Sequence, residues 1–502
     1  MEKYNWDFIA TEEKQDAYAP IISKLNPCSS EEFKTLSEEQ QDMLLNNMIK
    51  EIRKINVFPI YYFNKKGIAK EIKAAMDKKV CFVDNNLDIS YAQGLLLLDF
   101  LFPNLHHVHA GDIQNLTVYD RFYNDDTLKA CLKMSLKNRK IINMRTAFFA
   151  PSRFLWRSAI NYSPMRAKAI YERFCPKNGV IYDYSAGFGG RMLGALSSSN
   201  NFTYVGTDPN SETYEHLNEL GTYIEEVSKR KNSYILYNKG SEDLRLEKES
   251  VDFIFSCPPF FNLETYSKEE TQSIQKFPKY EDWLEKYVRP TIKNCVEALK
   301  TNGLYGVNIV NFWKGGKKYL VADDWVRIAK EEGLFLQGIF TISSKARKNK
   351  EDQDQIYIFS KDINIKIPNY TDKNAIIAWE RKIEEYEKKK EKNKYYIVQY
   401  DIFGNFIQKY NDYLEIKDFT KEEIKLAIKT KKNCKNYYFK TFKSNEEYPL
   451  LLEIKKPICL IDNLYFHSFA EAGRYLNTSR QCIAQAKNRK SKKIVGHEVQ
   501  WF

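Results

Sequence analysis

The sequence predicts an α/β protein: a doubly wound, Rossmann-like, largely parallel sheet, with a helical region before it and small basic α+β repeats after it. Three observations carry this expectation. Short apolar runs alternate with amphipathic segments between Asn178 and Lys361, the residues ahead of them follow a helical period, and positive charge is concentrated near the C-terminal end.

At 502 residues the chain exceeds what a single core organises, so several domains are expected. Residues 1–150 read as mostly helical. "SSEEFKTLSEEQQDMLLNNMIKEIRK" begins with a capping box, Ser29 followed three residues later by Glu32, and "ISYAQGLLLLDFLF" and "TLKACLKMSLKNRK" fit buried or amphipathic helices. Residues 151–363 hold the sheet. Its strands are "VIYDYSAG", "TYVGTDPN", "SYILYNKG", "VDFIFSCPP", "GLYGVNIVNFW", "LFLQGIFTISS" and "DQIYIFSK", the last two placed as an antiparallel hairpin at the edge. Residues 364–394 form a charged helical linker. Residues 395–443 and 444–502 repeat one order of elements: two short strands, helical pieces and a closing aromatic strand.

Composition narrows the function classes. No run of about 18 apolar residues is present to span a bilayer, and "MEKYNWDFIATEEKQD" lacks the apolar core of a leader peptide, so a cytoplasmic protein without membrane partners is expected. The nine cysteines show no CxxC pair and no tight framework, which indicates neither zinc nor disulfides. His106, His107 and His109 are read as packing or surface residues, and no metal is expected. From Arg381 to Phe502 there are 26 Lys and Arg against 16 Asp and Glu, a net of +10 out of +12 for the chain. Basic charge interleaved with aromatics suits a polyanion partner, although solvated lysine faces look the same.

Chemistry concentrates behind the strands. "DYSAGFGGR" follows an apolar strand and opens a helix, so Asp183, Ser185, Ala186, Gly187, Gly189 and Gly190 form a loop over which a ligand can approach the backbone. Its spacing fits neither the dinucleotide fingerprint nor a phosphate loop. Asp208 ends the second strand, where a carboxylate can accept from both hydroxyls of a ribose. Glu242 and Asp243 follow the third, where an acid can receive an adenine amine. Each alone is an ordinary cap or loop acid. In order after successive strands, they point to an adenosine-containing cofactor. The fourth strand runs into Cys257-Pro258-Pro259-Phe260, a turn whose prolines forgo backbone donors and fix its shape.

A glycine loop after strand one, an acid after strand two and an (Asp/Asn/Ser)-Pro-Pro-(Tyr/Phe/Trp) turn after strand four resemble the S-adenosylmethionine-dependent DNA amino-methyltransferases. "NYSPMRAKAIYERFCPKNGVIYDYSAGFGGRMLGAL", "SCPPFFNLETYS" and "QSIQKFPKYEDWLEKYV" extend the resemblance to phage- and bacterial-type DNA methylases over residues 153–361. The resemblance implies a methyltransferase sheet, S-adenosylmethionine as cofactor and a flipped base whose exocyclic amine is methylated, N6-adenine ahead of N4-cytosine. It implies that the Pro258 carbonyl accepts from that amine and that Phe260 stacks on the ring. It also implies that Asn161 to Arg166, with Ser163 and Pro164, fold over the methionine end of the cofactor.

Cys257 departs from the pattern, being a poorer acceptor than Asp, Asn or Ser. Covalent catalysis is one alternative, but cytosine-C5 enzymes place the catalytic thiol after the proline rather than before two and no partnering Glu-Asn-Val segment is present; loss of activity is the other. Glu264 and Tyr266 lie where the target loop begins, to contact DNA, to close the pocket or simply to start a surface helix. The C-terminal units resemble DNA-binding modules found beside homing endonucleases. In the second, a turn at Asn477-Thr478-Ser479 precedes a helix bearing Arg480, Gln481, Gln485, Lys487, Arg489 and Lys490 for phosphates and base edges of double-stranded DNA. The other readings are an inert DNA-binding protein that keeps the fold, an RNA or protein methyltransferase, and a protein-interaction role for the modules.

Overall fold

The computed structural model describes residues 28–80, 92–111, 116–138, 143–342, 354–365, 367, 370, 373–392, 395–401, 403–410, 415–416, 418–431, 435, 437–443, 446–450, 452, 459–461 and 464–502. The stretch read for a leader peptide, the first residues of "ISYAQGLLLLDFLF", Cys81 and Cys434 lie outside these. Two compact units are present, Met1–Ile377 and Ala378–Phe502, and their boundary falls inside the helix Lys373–Lys392.

In the first unit the capping box at Ser29 and Glu32 forms as the sequence predicts, but a second one, Ser37 with Gln40, splits the periodic segment into helices Ser30–Thr35 and Glu38–Ile55. Ser37 is extended, and its hydroxyl accepts from the Gln40 amide, which starts the new helix. These helices, with Asp125–Asn138 and Met144–Leu155, bury an aromatic-rich core around Phe58, Phe122 and Phe148. The helix Lys65–Asp77 instead packs toward the sheet. Lys168, almost fully buried, donates to the carbonyls of Ala75, Met76 and Lys78 at 3.1, 2.9 and 2.8 Å. A cation thus satisfies the carbonyls that a helix C-terminus leaves open.

Strand β1 (His109–Ala110) lies within this region, ahead of helices Asp125–Asn138 and Met144–Leu155. The sheet strands are β2 (Val180–Asp183), β3 (Thr203–Thr207), β4 (Tyr234–Tyr237) and β5 (Val251–Ser256). After the short β6 (Glu264–Thr265) follow β7 (Leu299–Ile309), the hairpin β8 (Phe312–Lys314) and β9 (Lys317–Tyr319), then β10 (Phe335–Ile342) and β11 (Asp354–Ser360). The order β10-β11-β7-β5-β2-β3-β4 reverses on either side of β2, so it is doubly wound. β11 runs antiparallel to both neighbours and the other described pairings in the sheet are parallel. The expected hairpin is present, with β11 inserted between β7 and β10 so that only β10 lies at the edge. Phe253 and Phe255 enter the core shared with helices Pro164–Phe174, Gly190–Leu196 and Ser211–Ser228. On the other face Tyr184 stacks on Tyr305 and Trp325, and the Tyr305 hydroxyl takes the Trp325 indole N–H at 2.8 Å.

In the second unit the two pieces share one topology. β12 (Tyr395–Tyr400) pairs with β13 (Phe406–Tyr410) and β14 (Tyr438–Lys443), and β15 (Cys459–Ile461) pairs with β16 (Leu464–Phe466) and, beyond β17 (Lys493–Ile494), with β18 (His497–Trp501). Each is an antiparallel hairpin whose first strand also receives the closing strand. Between them the first piece holds one helix among the described residues, Lys421–Thr430, where the sequence predicts two. Lys431 there turns left-handed at φ 54° and ends it. The second piece holds two, Phe469–Tyr475 and Arg480–Asn488.

Candidate active site

The carboxyl ends of β2, β3 and β5 carry the predicted residues to one side of the sheet. After β2 the chain turns through Gly187 and Gly189, at φ 56° and 73°, a region in which a side chain is strained. A Cβ on Gly190 would collide with the Tyr162 carbonyl, so the loop lies flat against the segment before Pro164. Asn161 fixes that segment by donating to the Phe188 carbonyl at 2.6 Å.

Asp183 does not face the open side. It is fully buried, and its carboxylate accepts from Arg191 Nε at 2.7 Å, Tyr204 Oη at 2.8 Å and Ser256 Oγ at 2.7 Å. Arg191 also donates to the Ser185 carbonyl. The acid therefore ties the glycine loop, β3 and the residue before Cys257 together.

Asp208 accepts from the amides of Gly187 at 2.8 Å and Asn210 at 3.0 Å. Burial pushes its carboxyl up to about 6 despite these bonds. Glu242 pairs with Lys276 at 2.7 Å, and Asp243 pairs with the same ammonium at 2.8 Å from a half-exposed position. Glu242 is the buried member of the pair, with 4% of its side chain exposed, and its Oε2 has no hydrogen-bond partner among the described residues.

The proline corner is held from both sides. Phe261 sits at φ 50°, unusual for an aromatic residue, and its ring packs among Tyr280, Trp283 and Tyr319. The Phe260 carbonyl takes the Leu263 amide at 3.0 Å, and Lys314 of the β8–β9 hairpin donates to the Asn262 carbonyl. β6 then pairs with β1, Ala110 opposite Glu264 and His109 opposite Thr265, so the helical region supplies an edge of the site. Burial pushes the Cys257 thiol up to about 12, with only partial relief from the Arg191 charge, so it carries its proton at neutral pH.

One cavity of about 240 Å³ joins these features. Ser185, Ala186, Gly187, Asp208 and Glu242 line it, and so do Cys257, Pro258, Pro259 and Phe260. Glu264 and Tyr266 line it too, with the Tyr266 hydroxyl donating to Glu264 Oε2. Asp183, Gly189, Gly190, Asp243, Ser163 and Pro164 do not line it. Gly189 caps the helix Gly190–Leu196, and Ser163 caps the helix that Pro164 opens. Among the lining residues given no role by the sequence are Tyr287, Gln272, Arg191, Asn308 and Asp354, although Arg191 closes "DYSAGFGGR" and Gln272 and Tyr287 lie within "QSIQKFPKYEDWLEKYV". Tyr162 and Arg166 fall in a segment the sequence singles out. Among the described residues, Tyr162 Oη, Arg166 Nε and Gln272 Nε2 are buried without partners.

His106 is buried with a ring nitrogen 3.0 Å from the Asp99 carbonyl oxygen, and no group of three metal-ligating side chains occurs among the described residues. In the second unit Ser479 caps Arg480–Asn488 after Asn477 turns at φ 50°. Arg480, Gln481, Gln485, Arg489 and Lys490 are exposed, while Lys487 is half-buried, reaching the Phe502 carbonyl at 3.3 Å. No helix among the described residues is long and apolar enough to cross a membrane.

No protein-family model and no curated protein matches the chain. Among solved structures, a TehB-like SAM-dependent methyltransferase from Corynebacterium glutamicum is similar at 15% identity and a TM-score of 0.28, over 42% of this chain and 95% of that one. TrmN from Thermus thermophilus gives 12% and 0.28 over 39% and 48%, and a putative rRNA-methylase from Clostridium thermocellum 10% and 0.26 over 40% and 97%. At these TM-scores the likenesses carry no weight for chemistry, and the fold rests on the strand order above.

Proposed function

We propose that the chain is an S-adenosylmethionine-dependent methyltransferase acting on the exocyclic amine of a flipped DNA base, adenine N6 ahead of cytosine N4. The observation that supports this most is the sharing of one cavity by the glycine loop, Asp208, Glu242 and the whole Cys-Pro-Pro-Phe corner.

The residues present fit the cofactor. Glu242 Oε2, buried and unpartnered among the described residues, is an acceptor of the kind an adenine amine satisfies. Asp208, when ionised, accepts from ribose hydroxyls, and Gly187 offers open backbone, with no heavy atom nearer than 3.8 Å to the place of a Cβ. Tyr162 and Arg166 offer polar atoms for a carboxylate. When bound, S-adenosylmethionine supplies an electrophilic methyl carbon on a sulfonium. On the other side, the Pro258 carbonyl accepts from the base amine and Phe260 covers the ring, in a corner that the prolines and the Phe261 cluster keep from flexing. The exposed cations of the second unit are suited to phosphates.

Incubation with methyl-labelled S-adenosylmethionine and duplex DNA, followed by digestion to nucleosides, tests the reading. Labelled N6-methyldeoxyadenosine or N4-methyldeoxycytidine supports it. Label confined to RNA or protein in parallel incubations contradicts it.

A further inference from the structure

We infer that Glu264 is the proton acceptor of the reaction, a catalytic residue that supplies the carboxylate that position 257 lacks. The inference rests on the proposed function. Cys257 occupies the place where an oxygen acceptor would face the base amine, and a protonated thiol accepts poorly. A nitrogen that gains a fourth bond must lose a proton, and the corner itself offers only a neutral carbonyl. Glu264 lines the same cavity, close enough to Cys257 that its charge pushes the thiol's titration up.

The position of Glu264 is fixed independently of any ligand. β6 is pinned to β1, and the Tyr266 hydroxyl occupies Oε2. Tyr266 itself lies against Phe188 of the glycine loop, ring centres 6.2 Å apart. The carboxylate therefore faces the cavity that loop and corner share, held by a tyrosine that itself touches the loop. The step balances. The amine nitrogen forms a bond to the methyl carbon, the carbon–sulfur bond breaks with its electron pair left on a neutral thioether, and one amine proton passes to Glu264 and on to solvent. The groups that act on Glu264 are Tyr266, just past its strand, Arg157 from the segment before the cavity and Cys257 from the corner, while the residue opposite it on β1 is the uncharged Ala110. Burial raises its carboxyl above the usual range while Tyr266 and Arg157 pull it back.

The full chain is tested with duplex DNA and labelled S-adenosylmethionine, and with S-adenosylhomocysteine binding by calorimetry as the check on folding. Glu264→Gln keeps the Tyr266 bond and should lower kcat about a hundredfold or more, with S-adenosylhomocysteine affinity unchanged. It should also remove the acidic limb of the kcat profile. Glu264→Gln/Cys257→Asp should recover at least tenfold of that loss. Tyr266→Phe, which leaves the carboxylate but removes a hydrogen bond to its charged form, should move the acidic limb to higher pH. A Glu264→Gln enzyme within threefold of wild type, or a limb unmoved in Tyr266→Phe, overturns the role of Glu264 alone. A wild type that binds S-adenosylhomocysteine yet labels no DNA base overturns the proposed function and this role together.

Discussion

Ser256 Oγ donates to Asp183 Oδ1 at 2.7 Å, and that contact joins the last residue of β5 to the last residue of β2 beneath the cavity floor. With Arg191 on the other carboxylate oxygen, it fixes the distance between glycine loop and proline corner.

Asp183→Asn should therefore act first on stability. It leaves the Arg191 guanidinium buried without its counter-charge, a loss on the order of 3–5 kcal/mol. Ser256→Ala removes one neutral donor to a charged group and should cost about 1.5–3 kcal/mol. Denaturant titration of both variants gives the comparison, with Asp183→Asn expected to unfold at distinctly lower concentration.

Cofactor affinity should fall on acidification. The Asp208 carboxyl, raised by burial to about 6, accepts from ribose hydroxyls only when ionised. S-adenosylhomocysteine binding, followed by calorimetry, should be level above pH 7 and weaken up to tenfold per unit below pH 6. Asp208→Asn should weaken it about ten- to a hundredfold at pH 7.5 and flatten that dependence.

Cys257 should prove dispensable as a nucleophile. A thiol pushed up to about 12 is almost entirely protonated at pH 7.5, so Cys257→Ser should retain or exceed wild-type methyl transfer. Intact-mass measurement of wild type after turnover should show no methylated or base-linked enzyme.

The helical region should be inseparable from the sheet. Lys168→Met leaves three helix-end carbonyls without their cation and should lower the unfolding free energy by about 1–3 kcal/mol, read from the shift of a thermal transition.

Much of this was legible in residue order. Periodicity located the strands, the capping box at Ser29 located a helix start, and the sequence of glycine loop, Asp208, Glu242 and proline corner brought together residues the cavity unites. The burial of Asp183 was not legible, because its partners Arg191, Tyr204 and Ser256 come from three other elements. The segment holding Gln272 and Tyr287 was singled out but their role was not, because tertiary packing, not local spacing, turns them toward the cavity. The pairing of β1 with β6 joins residues about 155 positions apart, and two-residue strands leave no periodic trace.

The central claim is that a methyl-donor nucleoside and a base amine meet in one cavity. Affinity for bisubstrate compounds, in which one carbon bridges the donor's nucleoside moiety to adenine N6 or to cytosine N4, tests it most directly. One of the two should bind at least a hundredfold more tightly than S-adenosylhomocysteine and lose that advantage in Phe260→Ala. If both bind no better than S-adenosylhomocysteine, the corner does not receive a base and the account is contradicted.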